Sequence, residues 1–313
     1  CQPQAWLARI GFGSCRAPAS CLLHLAALTA TAMPLPPAAA AAPAAPLGTL
    51  VALGGGDDDA LLALLADLLP APDAPVEVVT TAAVSGAATT GRAYVAALQE
   101  LGCQRVHHLP IDEHHPADTP AHLGRLERAG LVFFTGGDQE RITEFWSGTQ
   151  ALAVLTRRYH HDASLLIAGT SAGAAVMPTH MIVGGHGARA LTKGGLRTAP
   201  GLGLLHEVYI DQHFAERGRF GRLAHAVLQH PAYLGVGLGQ ETGLIIRRGQ
   251  HAEVFGDGVV MLVDGAELLG SNLGRIGRGE PVSGQNLRVH LLVAGQHFNL
   301  PTRQVVAGEW AVQ

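Results

Sequence analysis

Residues 165–177 read Leu-Leu-Ile-Ala-Gly-Thr-Ser-Ala-Gly-Ala-Ala-Val-Met: an apolar run, a glycine-flanked turn, then a start of small residues suited to a helix. Gly169 and Gly173 lack a Cβ, so the two arms of such a turn can approach closely. The G-T-S-A-G segment fits the G-x-S-x-G spacing that sets a serine at the tip of a sharp strand-to-helix connection. The helix start then brings free N–H groups and the positive end of its dipole beside the Ser171 hydroxyl. Such a setting stabilises an alkoxide and an oxyanion. It also demands a strand with a helix packed behind it, which points to an α/β architecture.

The rest of the chain agrees. Of its 313 residues, 48% are hydrophobic and 15% charged, and glycine is abundant. That composition describes a packed enzyme-like body and argues against a disordered chain. The formal net charge is −4 with no Lys/Arg-rich run, so a nucleic-acid partner is not expected. The four cysteines, Cys1, Cys15, Cys21 and Cys103, match no zinc spacing and define no disulfide framework. With three of them in the leader, Cys103 reads as a small buried hydrophobe.

Residues 1–46 differ in character from the remainder of the chain. Arg9 and Arg16 precede the apolar run 21–28, and an Ala/Pro tract extends from Pro34 to Pro46. This is the outline of a secretory signal peptide and linker, too short and interrupted for a membrane span. Export is the expectation; a disordered leader on a cytoplasmic enzyme is the alternative. Residues 47–313 are expected to form the single functional domain.

From Leu47 onward strands and helices alternate. The segments 47–53, 76–81, 106–109 and 131–134 read as strands, with helical spacing over 60–69, 89–101 and 140–155. Such alternation predicts a mostly parallel sheet wrapped by helices, with ligands at the carboxyl ends of its strands. Residues 184–203 read as a glycine-rich loop covering the site, and the chain beyond Leu244 reads as β-rich. Gly54-Gly55-Gly56 lacks a nucleotide-binding spacing, and Asp57, Asp58 and Asp59 behind it would repel a phosphate. His107, His108, Asp112, Glu113, His114 and His115 have ligand chemistry without metal-site spacing and read as a solvated loop. No cofactor and no metal are expected.

Ser171, His213 and Glu241 each follow a short apolar strand, which in a parallel sheet would align them along one edge. Hydroxyl, imidazole and carboxylate are what a serine nucleophile needs: a base for its proton and an acceptor to orient the base. Thr135-Gly136-Gly137-Asp138-Gln139 ends another strand. There Gly137 or its neighbour is the candidate second oxyanion donor beside the Ala172 N–H, and Gln139 is placed to reach a substrate.

These segments resemble the cyanophycinases, the serine peptidase family S51 that also includes aspartyl dipeptidases. The resemblance rests on G-T-S-A-G at 169–173, Thr-Gly-Gly-Asp-Gln at 135–139, Asp-Gln-His-Phe at 211–214, Arg-Gly-Arg-Phe-Gly-Arg-Leu at 217–223, and Gly235-Val236-Gly237-Leu238 with Glu241-Thr242. It implies a three-layer αβα sandwich with a mostly parallel sheet, like the class I glutamine amidotransferases, plus a β-rich C-terminal part. It implies Ser171 as nucleophile, His213 as base and Glu241 as third member. It further implies a substrate pocket of Gln139, Asp211, Gln212, Arg217, Arg219 and Arg222. The substrate implied is cyanophycin, a polyaspartate backbone with arginine on each side-chain carboxyl, released as β-Asp-Arg dipeptides. Arginine forks suit its carboxylates, and Asp211 suits its guanidiniums. A homodimer is in keeping with such relatives. Two alternatives stand beside this reading: a dipeptidase acting on small aspartyl peptides, and a non-catalytic peptide-binding relative.

Overall fold

The structure, a computed structural model, describes residues 45–306; residues 1–44, nearly all of the expected signal peptide and linker, lie outside them. The first half alternates strand and helix: β1 (Thr49–Leu53), α1 (Asp59–Leu68), β2 (Val76–Val79), α2 (Ala87–Glu100), β3 (Val106–Leu109), α3 (Pro120–Leu126), β4 (Leu131–Phe134), α4 (Gln139–Trp146), α5 (Gln150–His161), β5 (Leu166–Thr170) and the short α6 (Ala172–Ala175). Strands β1, β5, β4, β2 and β3 pair in parallel in that order, and the near-continuous apolar content of the inner strands β1 and β4 suits strands covered on both faces. The expected 140–155 helix is two helices. Gly148 takes a positive φ of 74°, and Thr149 caps the second helix by accepting the Leu152 N–H at 3.1 Å.

The second half is strand-rich. It continues with β6 (His180–Gly184), β7 (Arg197–Pro200), β8 (Val208–Asp211), α7 (Phe220–Gln229), β9 (Leu234–Leu238), β10 (Thr242–Arg247), β11 (His251–Gly256), β12 (Val260–Asp264), β13 (Gly270–Ser271), β14 (Gly284–Gln285), β15 (Arg288–Leu292), β16 (His297–Asn299) and β17 (Gln304–Val306). The expected loop over 184–203 is in fact flanked by an antiparallel β6–β7 pair, with a 3-10 turn at Gly187–Leu191 between the strands.

Two larger sheets result, beside the two-stranded β6–β7 and β13–β14 pairs. Strands β10, β11, β16 and β17 extend the parallel sheet antiparallel from β1 to nine strands. Strands β15, β12, β9 and β8 form a separate four-stranded sheet in which only β8 and β9 run parallel. One face of the large sheet (Val51, Leu53, Val76, Val78, Phe133) packs on α1 and α2. Its other face (Leu50, Ala52, Val132, Phe134, Ile167) shares a core with α4, α5 and the small sheet's Ile210, Val236 and Leu262. Helix α7 covers the small sheet's outer side through Leu223, Ala226 and Val227, against Tyr209 and Val263. The large sheet between its helix layers is the three-layer αβα sandwich. No helix among the described residues is long and apolar enough to cross a membrane.

Candidate active site

Ser171 follows β5 with φ 52° and ψ −109°, a strained conformation for a residue with a Cβ. The glycines permit it. A Cβ on Gly169 would stand 2.4 Å from the Gly173 carbonyl, and one on Gly173 would stand 2.2 Å from the Phe134 oxygen. The Ser171 N–H donates to the Leu53 carbonyl at 2.9 Å, which pins the tip to β1. Thr170 and Tyr94 donate to the two oxygens of the Asp58 carboxylate at 2.8 and 2.5 Å. Asp58 thus turns inward and braces the residue before the serine. Its burial raises its pKa, against the lowering effect of those two bonds. Because α6 spans only Ala172–Ala175, its dipole is a minor contribution; the free N–H groups are what remains.

His213 follows β8 of the small sheet, and its Nε2 lies 3.0 Å from Ser171 Oγ. The two residues therefore meet between sheets and not along one sheet edge. The triple-glycine turn after β1 joins them. The His213 N–H donates to the Gly54 carbonyl at 2.8 Å, and the Glu241 N–H to the Gly55 carbonyl at 2.7 Å. Gly55 is buried at φ 91°, and a Cβ there would stand 2.4 Å from His213 Cε1. The turn is a floor for the imidazole, a role its sequence did not suggest. Burial, helped by the Arg217 and Arg219 charges, pushes the His213 pKa down to about 4, so the ring is a neutral proton acceptor at neutral pH.

The third position is a correction. The side chain at His213 Nδ1 is Gln240, whose amide nitrogen lies 2.8 Å away; the exposed Glu241 carboxylate makes no hydrogen bond among the described residues. Glu241 has φ 53°, and with its N–H tied to Gly55 its side chain leaves the ring. Gln240 is fixed at both backbone ends: its N–H donates to Glu216 Oε1 at 3.2 Å, and its carbonyl accepts from Thr242 Oγ1 at 2.9 Å. Amide and ring have two consistent arrangements. If the amide N–H donates to Nδ1, the ring proton sits on Nε2 and faces the serine. If the amide is turned over, Nδ1–H donates to Oε1 and Nε2 is left to accept the serine proton. Only the second arrangement makes His213 a base toward Ser171.

The remaining predicted residues divide. Of the glycine pair at 136–137, Gly136 is the one against Ser171: a Cβ on it would lie 3.5 Å from the serine Cβ. Gly137, exposed at φ 143°, presses instead on Ala82. Neither the Gly136 nor the Ala172 N–H has a protein acceptor among the described residues. Gln139 donates to the Ile182 carbonyl at 2.9 Å, tying α4 to β6. Asp211, Gln212, Arg219 and Arg222 form a buried network: Arg222 grips both Asp211 oxygens, and Arg219 reaches Asp211 and, at 2.8 Å, Gln212 Oε1. Asp211 therefore holds the chain's own guanidiniums, as buried charges require. The buried Arg219 Nε has no hydrogen-bond partner among the described residues. Arg217 is exposed and makes no ion pair among the described residues. In the His-rich stretch, His108 bonds Thr80 at 2.7 Å, His115 pairs with Asp112, and Glu113 with Arg141.

A strained elbow serine touching an uncharged imidazole on an α/β sheet is the layout of a serine-type hydrolase. Residues 50–254 match the family model for peptidase family S51. The chain is 35% identical over 268 residues to a cyanophycinase of Trichormus variabilis, covering 84% of this chain and 89% of the relative. It is 34% identical over 262 residues to a cyanophycinase of Synechococcus elongatus, covering 82% and 81%. A solved peptidase structure from an acI-B1 Actinobacterium shares the fold with a TM-score of 0.58 at 20% identity, over 82% of this chain and 98% of that one. The chain belongs to peptidase family S51 and is a serine-type peptidase.

Proposed function

We propose that the chain hydrolyses cyanophycin to β-Asp-Arg dipeptides through an acyl-enzyme on Ser171. The 3.0 Å Ser171–His213 contact carries the mechanism, and the cyanophycinase relatives at 35% identity support the substrate. His213 Nε2 removes the hydroxyl proton as Oγ attacks the backbone carbonyl. The Ala172 and Gly136 N–H groups receive the oxyanion. The imidazolium returns its proton to the leaving amine, and water, deprotonated by the same ring, releases the acyl group. Gln240 holds the ring through Nδ1–H, and Arg217 meets a substrate carboxylate. Incubation of the purified protein with cyanophycin and mass spectrometry of the products tests this. β-Asp-Arg is the expected product; hydrolysis of free aspartyl dipeptides with an untouched polymer would replace the substrate assignment.

An amide at Nδ1 brings no charge to oppose the burial that lowers the His213 pKa. Gln240→Glu places a charge against Nδ1–H, and opposite charges that close raise such a pKa by roughly 1–3 units. Protonated His213 is inactive as a base, so the acid limb of kcat/KM, expected near pH 4 in the parent from the lowered His213 pKa, should move upward by that amount. A pH–rate profile checks it; an unmoved limb would show that residue 240 does not govern the base.

A further inference from the structure

A cavity of about 730 Å³ opens on the far flank of the large sheet, along β3. It is bounded by α2, by the amino-terminal parts of β2 and β3, and by α3. Ser171 lies elsewhere, past the carboxyl end of β5, with β4 and β2 between β5 and β3. Arg92, Arg105, Arg125 and Arg128 line the cavity, and its one carboxylate is Glu77. Glu77 is taken: Arg125 Nε and Nη2 both donate to it. Arg92, Arg105 and Arg128 are exposed and form no ion pair among the described residues. On a chain of net charge −4, this is a local reversal of sign. His108 on the same wall is held below its ordinary pKa by burial and by the Arg125 and Arg92 charges.

The backbone of the wall carries edge groups without a hydrogen-bond partner among the described residues. Among the described residues, strand β3 ends the sheet and pairs with β2 alone. The Val76 N–H donates to the Arg105 carbonyl at 2.9 Å in a register that sets Val76 opposite Val106. In a parallel ladder this turns the N–H and C=O of Val106 and His108 away from β2. Arg125 takes the His108 carbonyl at 2.8 Å; the N–H and C=O of Val106, itself buried, and the His108 N–H make no hydrogen bond among the described residues. Free edge groups are a template for a further strand.

We infer that this edge is a second binding site, separate from Ser171, for an extended peptide rich in carboxylates. The peptide adds to β3 as a strand, and the Arg92, Arg105 and Arg128 forks hold its side chains. The Arg125–Glu77 pair already displays the carboxylate geometry within the cavity. The three guanidiniums without an ion pair among the described residues come from α2, the turn before β3 and the turn before β4, so the charge is spread along a groove and suits a chain better than one ion. The inference does not depend on the hydrolytic reading, and its test uses no turnover.

Fluorescence anisotropy of a labelled oligo-aspartate against the full chain is the measurement. Saturable binding is expected, about tenfold weaker in Arg105→Glu/Arg128→Glu and intermediate in Arg105→Gln/Arg128→Gln, with both variants folded by circular dichroism. The Ser171→Ala protein is expected to bind the probe as the parent does, whatever its activity. The same probe N-methylated at alternate residues carries equal charge without the strand donors and is expected to bind more weakly. Absence of saturable binding, equal affinity in the parent and charge-reversed proteins, or equal binding of the N-methylated probe would overturn the inference. So would an oligothymidylate that binds as tightly as the peptide.

Discussion

Ser171→Ala is expected to lower kcat/KM on cyanophycin about 10³-fold or more, the scale seen when the nucleophile of a serine relay is removed. The alanine keeps the Cβ, so the elbow, its strained φ and the Leu53 tether are retained, and the thermal midpoint should stay near that of the parent. His213→Ala should cost a similar factor. The double variant should cost little more than either alone, because the two groups act as one unit. Activity and midpoint measured on the same preparations check this. A loss of less than roughly tenfold in Ser171→Ala would remove Ser171 from the chemistry.

Much of this arrangement is legible in the sequence because local pattern sets it. Leu131–Phe134 is a short apolar run and Val106–Leu109 a histidine pair between two apolar residues; both are bounded by turn residues and both are strands with those bounds. The elbow is legible because only glycine fits at 169 and 173. The features that escape a sequence reading are set by long-range packing. The run Leu234–Leu238 is a buried strand in either sheet, and nothing in its composition tells that β8 and β9 leave the nine-stranded sheet and deliver His213 from a second one. An acid is the stronger partner for an imidazolium, which favours Glu241 over Gln240 on chemistry alone. Adjacent residues in a turn point differently, however, and the N–H of Glu241 is claimed by Gly55. The arginines at 217, 219 and 222 read as a pocket; the burial of Asp211 commits two of them internally. The aspartates after Gly56 read as repelling a ligand, whereas Asp58 serves the fold from beneath the elbow.

Gly55 offers the sharpest test of how the two sheets place the base. Gly55→Ala is expected to lower kcat/KM roughly 10²-fold, the cost of displacing a catalytic group by about 1 Å. The new methyl would lie 2.4 Å from His213 Cε1 and 2.6 Å from Nε2, closer than a Cβ tolerates, and the turn cannot retreat because Gly54 and Gly55 anchor the loops after β8 and β9. The ring must therefore leave Ser171. Backbone strain enters too, since a side chain at φ 91° costs about 1 kcal/mol or more. Gly102 separates the two effects: it has nearly the same φ, 93°, and nothing within 4 Å of an added Cβ. Gly102→Ala is thus expected to lose a similar amount of stability with kcat/KM unchanged, while Gly55→Ala loses both. Denaturation and kinetics on the pair decide it. If Gly55→Ala keeps activity within roughly threefold of Gly102→Ala, the glycine turn is not what holds His213 against the serine, and some other contact must set the imidazole.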